Sequence, residues 1–345
     1  MFFASDNAGP VHPQILQALV DSNVGYAMPY GADPIMETVR STLRAIFEAP
    51  DAVIYLVATG TAANALALGT LSQPWQTIFC APMAHIQEDE CNAPEFYTGG
   101  TKLTLVPGGD KMDPDALAQT IAKEETRGVH GAQRGPVSIT QVTERGGVYS
   151  LDQLNALCRV AKSFDCPVHL DGARFANAQA ALGCSAAEMT WKAGVDVVSF
   201  GATKNGAMGV EAVIFFDPKH AWEFELRRKR GAHLFSKHRY LSAQMQGYLD
   251  QDLWLCSAQQ ANAAAARLAS GLQTRGATLL HPAEANMIFC SFPRAVHQRL
   301  HDAGAKYYIW EGSLAGEDPD APLSARLVCD WSVTDAAIAE FLSYV

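Results

Sequence analysis

Short apolar runs rich in β-branched residues alternate with helix-period stretches along the first two thirds of the chain. VIYLVA (53–58) precedes TAANALALGTL, TIFC stands at 77–80, and KLTLVP (102–107) precedes DPDALAQTIAKE. VSITQV (137–142) precedes SLDQLNALCRVAKSF, and PVHLD (167–171), VDVVSF (195–200) and VEAVIFF (210–216) extend the series. Such alternation predicts an α/β fold, a mostly parallel sheet covered on both faces by helices. Asp113-Pro114 and Ser150 are N-cap signals at two of the helix starts. After about residue 240 the pattern changes to a long Ala-rich helical stretch, SAQQANAAAARLASGLQTRG, and then to strands at NMIFCSF (286–292) and SARLVCDW (324–331). We expect a large ligand-binding domain over residues 1–240 and a smaller α+β domain over 241–345.

No Asp, Glu, Lys or Arg occurs from Ala52 to Gln87, a length sufficient to cross a membrane. The interior argues against a span. Gly60, Thr61, Asn64, Gly69, Ser72, Gln73 and Pro74 break it into strand, turn, helix and loop, as in a buried α/β unit. With 345 residues, 48% of them hydrophobic, the chain can fill a substantial core, and its net charge of −10 disfavours a nucleic-acid partner. Arg227-Arg228-Lys229-Arg230 is the one basic run, and reads as a solvated helix face or a phosphate contact. Eight cysteines with no CxxC pair suit reduced thiols, and the N-terminus lacks a signal-peptide pattern, so a cytoplasmic protein is expected.

In open α/β sheets ligands bind outside the carboxyl ends of the strands. Three of those ends carry chemistry. The first strand runs into Thr59-Gly60-Thr61, a turn opening a helix, where free backbone N–H groups and a hydroxyl suit a phosphate. PVHL runs into Asp171, whose carboxylate near the core needs a cationic partner: either a protonated pyridine nitrogen or Arg174, three residues on. VVSFGAT runs into Lys204, in a Gly- and Ala-rich setting where no nearby carboxylate is expected to pair with it, and a lysine desolvated in this way becomes an amine nucleophile. Together they read as a pyridoxal-phosphate (PLP) site: Lys204 for the aldehyde, Asp171 for the ring nitrogen, Arg174 for the ring hydroxyl, and Gly60-Thr61 for the phosphate. We expect no metal. His169, within its strand, and the Phe215-Phe216 pair read as core residues.

SDN near the start, PYGADP (29–34), TGTAAN (59–64), HIQEDE (85–90), HLDGARFANA (169–178) and GATKNGAMG (201–209) resemble the threonine aldolases of the beta-eliminating lyase group. GAHLFSKHRYLSAQ (231–244) is similar to their low-specificity bacterial branch. The resemblance covers nearly the whole chain and implies fold type I of the PLP-dependent transferases. It also implies cleavage of L-threonine, L-allo-threonine and related β-hydroxy-α-amino acids to glycine and an aldehyde, by a homotetramer of dimers with sites between subunits.

By matching motif, Ser5, Arg326 and Arg174 are expected near the substrate carboxylate. Tyr30 is expected to line the site at the dimer interface, and His85 to stack on the pyridine ring. The family commonly has Ser-Lys where this chain has Thr203-Lys204, which keeps a hydroxyl. Either Lys237 or Arg239 is expected to reach the phosphate of the partner subunit. The base for the β-hydroxyl is His85 or His130, histidine having the right titration range. Two rival readings are a β-eliminating lyase on the same scaffold and a non-catalytic sensing module.

Overall fold

The computed structural model describes residues 1–345. Seven strands, β1 (Val53–Val57), β2 (Gln76–Cys80), β3 (Lys102–Leu105), β4 (Gln133–Thr140), β5 (Val168–Gly172), β6 (Val197–Gly201) and β7 (Glu211–Phe215), form one sheet in the order β1-β7-β6-β5-β4-β2-β3. Neighbours are parallel except at β7, which runs antiparallel to both β1 and β6. Only a short loop, residues 202–210, links β6 to β7, and so short a link reverses direction instead of crossing over. The reversal brings the first residue of β7, Glu211, to the same sheet edge as the last residues of β1 and β6.

Strands β5, β6 and β7 are buried along their whole length, as strands covered on both faces must be. Asp113 accepts from the N–H groups of Asp115 and Ala116, and Ser150 forms a reciprocal capping box with Gln153, so both expected helix starts are capped. The charge-free stretch becomes β1, the helix Gly60–Leu71 and β2. That helix is buried from Ala62 to Thr70, its small side chains letting other elements approach on every side. No helix is long and apolar enough to cross a membrane.

A second, antiparallel sheet comprises β8 (Thr278–Leu279), β9 (Met287–Pro293), β10 (Tyr308–Ile309) and β11 (Pro322–Val328), in the order β10-β11-β9-β8. The hydrophobic packing does not divide at residue 240. Leu241, Met245, Tyr248 and Trp254 belong to the core of the large sheet, whereas the second core starts at Ala264, inside the long helix Leu253–Thr274. Phe3 joins that second core from the far end of the chain, and Phe2 bridges to Lys306. The helix Arg239–Leu249 packs on the helices Pro13–Ser22 and Pro34–Ile46, which ties it to the large unit.

Candidate active site

At the loaded edge of the large sheet, a cleft of about 280 Å³ opens among Gly60, Thr61, His85, Asp171, Arg174 and Lys204. Six residues from four segments of sequence thus face one space of small-molecule size. The order of side chains along the edge follows the strand order: Glu211 on β7, Lys204 after β6, Asp171 on β5, Glu144 after β4 and His85 after β2.

Thr59 caps the helix Gly60–Leu71 through the N–H of Ala62. The N–H groups of Gly60 and Thr61 lie in the first turn, where no intrahelical acceptor exists. A Cβ built on Gly60 would meet nothing within 4 Å, so the backbone there is open to an incoming anion. Asp171 is buried and accepts from Asn64 Nδ2 at 2.9 Å and from the N–H of Ala173 at 3.0 Å. A simple pair with Arg174 is not formed. Arg174 turns instead to Asp6, so the carboxylate of Asp171 keeps a place for another cation.

Lys204 sits in the turn Thr203–Asn205, which is pinned from below. Asn205 Nδ2 donates to the hydroxyl of Tyr248 at 2.9 Å and to the carbonyl of Trp254 at 2.7 Å, and Tyr248 donates in turn to the carbonyl of Gly201. A side chain at Gly201 would stand 2.4 Å from the carbonyl oxygen of Ala173, so glycine lets the end of β6 lie against the loop that carries Arg174. Burial holds the Lys204 amine below its usual range, and the charge of Arg174 adds to the effect. Asp6, Asp171 and Glu211 oppose it. The expectation that no carboxylate lies near Lys204 is therefore corrected: Asp6 and Asp171 approach from distant parts of the chain, and Glu211, seven residues on, is returned by the reversal into β7. Glu211 is buried, accepts from the N–H of Ala202 at 2.7 Å, and has its carboxyl pushed up to about 7 by burial.

The ring of His85 meets a buried network. Its Nδ1 lies 2.8 Å from Glu90 Oε1, which also accepts from Asn64 Nδ2 at 2.8 Å, and Asn64 links onward to Asp171. The hydrogen bond to Glu90 raises the pKa of His85, and burial raises that of Glu90. Glu144 Oε1 accepts from the N–H of His85 at 2.7 Å, and burial pushes the Glu144 carboxyl up to about 7. His169 lies in the core with both ring nitrogens engaged, by Ser138 at 2.9 Å and Ser199 at 3.0 Å.

Other residues named from sequence lie outside this cleft. Ser5 caps the turn Asp6–Ala8, and it is Asn7 that reaches the cleft. His130 is exposed on the turn Gly128–His130, at the opposite end of β4 from Asp171. Tyr30 rests against Ser236, with the ammonium of Lys229 5.4 Å from its ring centre. Arg239 spends its guanidinium on the carbonyls of Val24 and Gly25 and on Tyr240, whereas Lys237 is exposed beside Met208 and Phe235. Arg326 is half-buried, donates to the carbonyl of Ala4 at 3.3 Å, and lies near enough to Arg174 for the two charges to repel.

Asp6, Asn64, Glu90, Glu144 and Glu211 belong to the site and were not singled out from sequence. The first three stand inside the motifs SDN, TGTAAN and HIQEDE, where their polarity was the available signal. Glu144 in a loop and Glu211 at a strand start had none, since exposed carboxylates in such positions look the same.

Residues 3–294 match the family model described as beta-eliminating lyase. The low specificity L-threonine aldolase of Pseudomonas sp. is 38% identical over 340 residues, 98% of this chain and 95% of that protein. Among solved structures, a threonine aldolase from Leishmania major superposes with a TM-score of 0.92 at 24% identity, covering 99% of this chain and 97% of that one. A serine palmitoyltransferase from S. paucimobilis with bound PLP shares the fold at a TM-score of 0.69 and 16% identity, covering 100% of this chain and 86% of that one. With a family match that spans most of its length and a relative of this similarity, the chain belongs to the beta-eliminating lyase family.

Proposed function

We propose that the protein is a PLP-dependent aldolase that cleaves L-threonine, L-allo-threonine and related L-β-hydroxy-α-amino acids to glycine and an aldehyde. One observation carries the reading: the amine of Lys204, the carboxylate of Asp171 and the open helix start at Gly60-Thr61 face a single cleft. These residues fit the cofactor. Asp171 lacks a cationic partner, the first-turn N–H groups are open, and the buried Asn64 Oδ1 has no hydrogen-bond partner.

When bound, the cofactor supplies an electron sink for the pair released by the Cα–Cβ bond. Asp171 would hold the ring nitrogen protonated, and the helix start would hold the phosphate. Lys204, its amine held below the usual range by burial and by Arg174, would be the amine that anchors the cofactor and moves protons at Cα. Arg326 has no carboxylate partner, so its guanidinium is free to grip the substrate carboxylate, and holding that group fixes the angle at which Cα–Cβ stands to the ring. Arg174, already paired with Asp6, is better suited to the ring hydroxyl and to backing Arg326. His85, held by Glu90, is the stacking partner and one candidate base. His130 can serve only from a neighbouring subunit, given its place at the far end of β4.

A homotetramer built from dimers accounts for the residues left outside the cleft. Val24, Tyr26 and Met28 are exposed on the loop that Arg239 braces, close to Tyr30 and Lys237. An apolar surface of this kind covered by a second copy would carry Tyr30 and the uncommitted Lys237 into the partner's cleft. The eight cysteines are free thiols, which supports a cytoplasmic location. A large unit from 1–240 and a small one from 241–345 remain our division along the sequence, while in packing the helix Arg239–Leu249 and the first turns of the long helix go with the larger core.

The test is an assay of L-threonine and L-allo-threonine coupled to aldehyde reduction. Stoichiometric aldehyde and glycine are expected. Pyruvate and ammonia from serine or cysteine, without aldehyde, would replace this reading with that of a β-eliminating lyase, and binding without turnover would favour a sensing module.

A further inference from the structure

We propose that Glu144 is the base that takes the proton from the substrate's β-hydroxyl group, with Oε2 as the accepting atom. The proposal rests on the aldolase reading above and adds a residue to it.

The cleft contains several groups able to accept a proton, and most are committed. Both oxygens of Asp171 receive hydrogen bonds, from Asn64 and from the N–H of Ala173. Asp6 is gripped by Arg174, and Nδ1 of His85 is occupied by Glu90, which leaves Nε2 as that ring's one free nitrogen. Glu211 stands on the Lys204 side of the sheet edge and accepts from the N–H of Ala202. Glu90 and Glu144 each have one buried oxygen, Oε2, without a hydrogen-bond partner, but of the two only Glu144 lines the cleft, and its Oε1 is anchored by the N–H of His85 at 2.7 Å. The residue lines the cleft between Asp171 and His85, on the side away from Lys204. A buried carboxylate oxygen with no donor is costly unless something supplies a proton to it, and a substrate hydroxyl is such a donor.

The step balances without a further reactant. The O–H proton moves to Oε2, the O–H bonding pair becomes the second bond of the aldehyde carbonyl, and the Cα–Cβ pair is left on Cα. Cα is then protonated to give glycine, and Glu144 returns its proton to solvent.

Burial pushes the carboxyl up to about 7, and the charge of Asp171 adds to the rise, while the N–H groups of Glu144 and His85 and the imidazole charge oppose it. Arg174, Cys80 and Tyr149 are the other titratable groups within electrostatic reach. Since the base is the deprotonated form, aldehyde release should climb with pH through about 7.

The experiment compares wild type, Glu144→Gln and Glu144→Ala as holoenzymes. Glutamine keeps an oxygen for the His85 N–H and removes the base; alanine removes both. Each is assayed for aldehyde release and for exchange of the glycine α-proton with deuterium, a reaction that needs the cofactor and Lys204 but no β-hydroxyl. A carboxyl-carbon NMR titration of the holoenzyme supplies a readout independent of turnover. The expected result is a loss of about 100-fold or more in aldehyde release by Glu144→Gln, with exchange kept within a few-fold of wild type. The rising limb near neutral pH and one titrating carboxyl resonance should disappear together. Wild-type cleavage by Glu144→Gln, or a loss of exchange in step with cleavage, would overturn the proposal, the latter assigning Glu144 to positioning His85 alone. A wild type that exchanges glycine protons but releases no aldehyde would instead sink the aldolase reading, and the role of Glu144 with it.

Discussion

Arg174 grips the carboxylate of Asp6 with two hydrogen bonds, Nε to Oδ2 at 2.7 Å and a terminal nitrogen to Oδ1 at 2.9 Å, and both side chains are buried. The pair fastens the N-terminal segment to the site. Asn286 Nδ2, from the residue just before β9, donates to the same carboxylate at 3.0 Å, so three remote segments meet there.

Burial alone would raise the Asp6 carboxyl, yet the Arg174 charge and hydrogen bond, with help from Lys204, hold it below the usual range. A depressed carboxyl contributes stability above its unfolded pKa and loses it as pH falls through the folded one. Asp6→Asn should therefore cost about 3–5 kcal/mol at neutral pH by leaving Arg174 buried and unpaired. The gap from wild type should narrow only below about pH 4. Denaturant unfolding across pH measures this, and equal midpoints at pH 7 would show that the pair contributes nothing.

Lys204→Ala should lower turnover by several orders of magnitude with the fold intact, because the helix start and Asp171 still hold the cofactor without a covalent link. Borohydride reduction of the wild type followed by peptide mapping should find the pyridoxyl group on Lys204. A label on another lysine, or on none, would remove this residue from the site.

Arg326 is half-buried, repelled by Arg174 and satisfied only by a carbonyl and the sulfur of Met287. Such a guanidinium gains from an added carboxylate, by about 1.5–3 kcal/mol for a charged hydrogen bond. Arg326→Ala should raise KM and lower kcat together while cofactor absorbance stays unchanged. Kinetic constants equal to wild type would refute the assignment.

Glu90 raises the pKa of His85 through their hydrogen bond, so Glu90→Gln should shift the imidazole titration to lower pH. His85→Asn should change the ratio of threonine to allo-threonine cleavage if the ring, which lines the cleft, feels the β-substituent. An imidazole midpoint that stays put in Glu90→Gln, or a ratio that stays put in His85→Asn, would make the network a packing feature.

The sequence alone determined what depends on local pattern. Strand and helix alternation followed from hydrophobic periodicity, the caps at Asp113 and Ser150 from side chains that bond their own helix, and Gly60, Asp171 and Lys204 from their positions at strand ends. What depends on chain reversal or long-range approach was settled by the tertiary structure. The antiparallel β7 carries Glu211 to the site edge, Arg174 is claimed by Asp6 and not by the nearer Asp171, and Glu144 meets His85 across 59 residues. The core likewise runs past residue 240 because the helix Arg239–Leu249 finds its partners near the N-terminus. A carboxylate's partner is set by where distant segments come to lie, and residue type and spacing along the chain do not encode that distance.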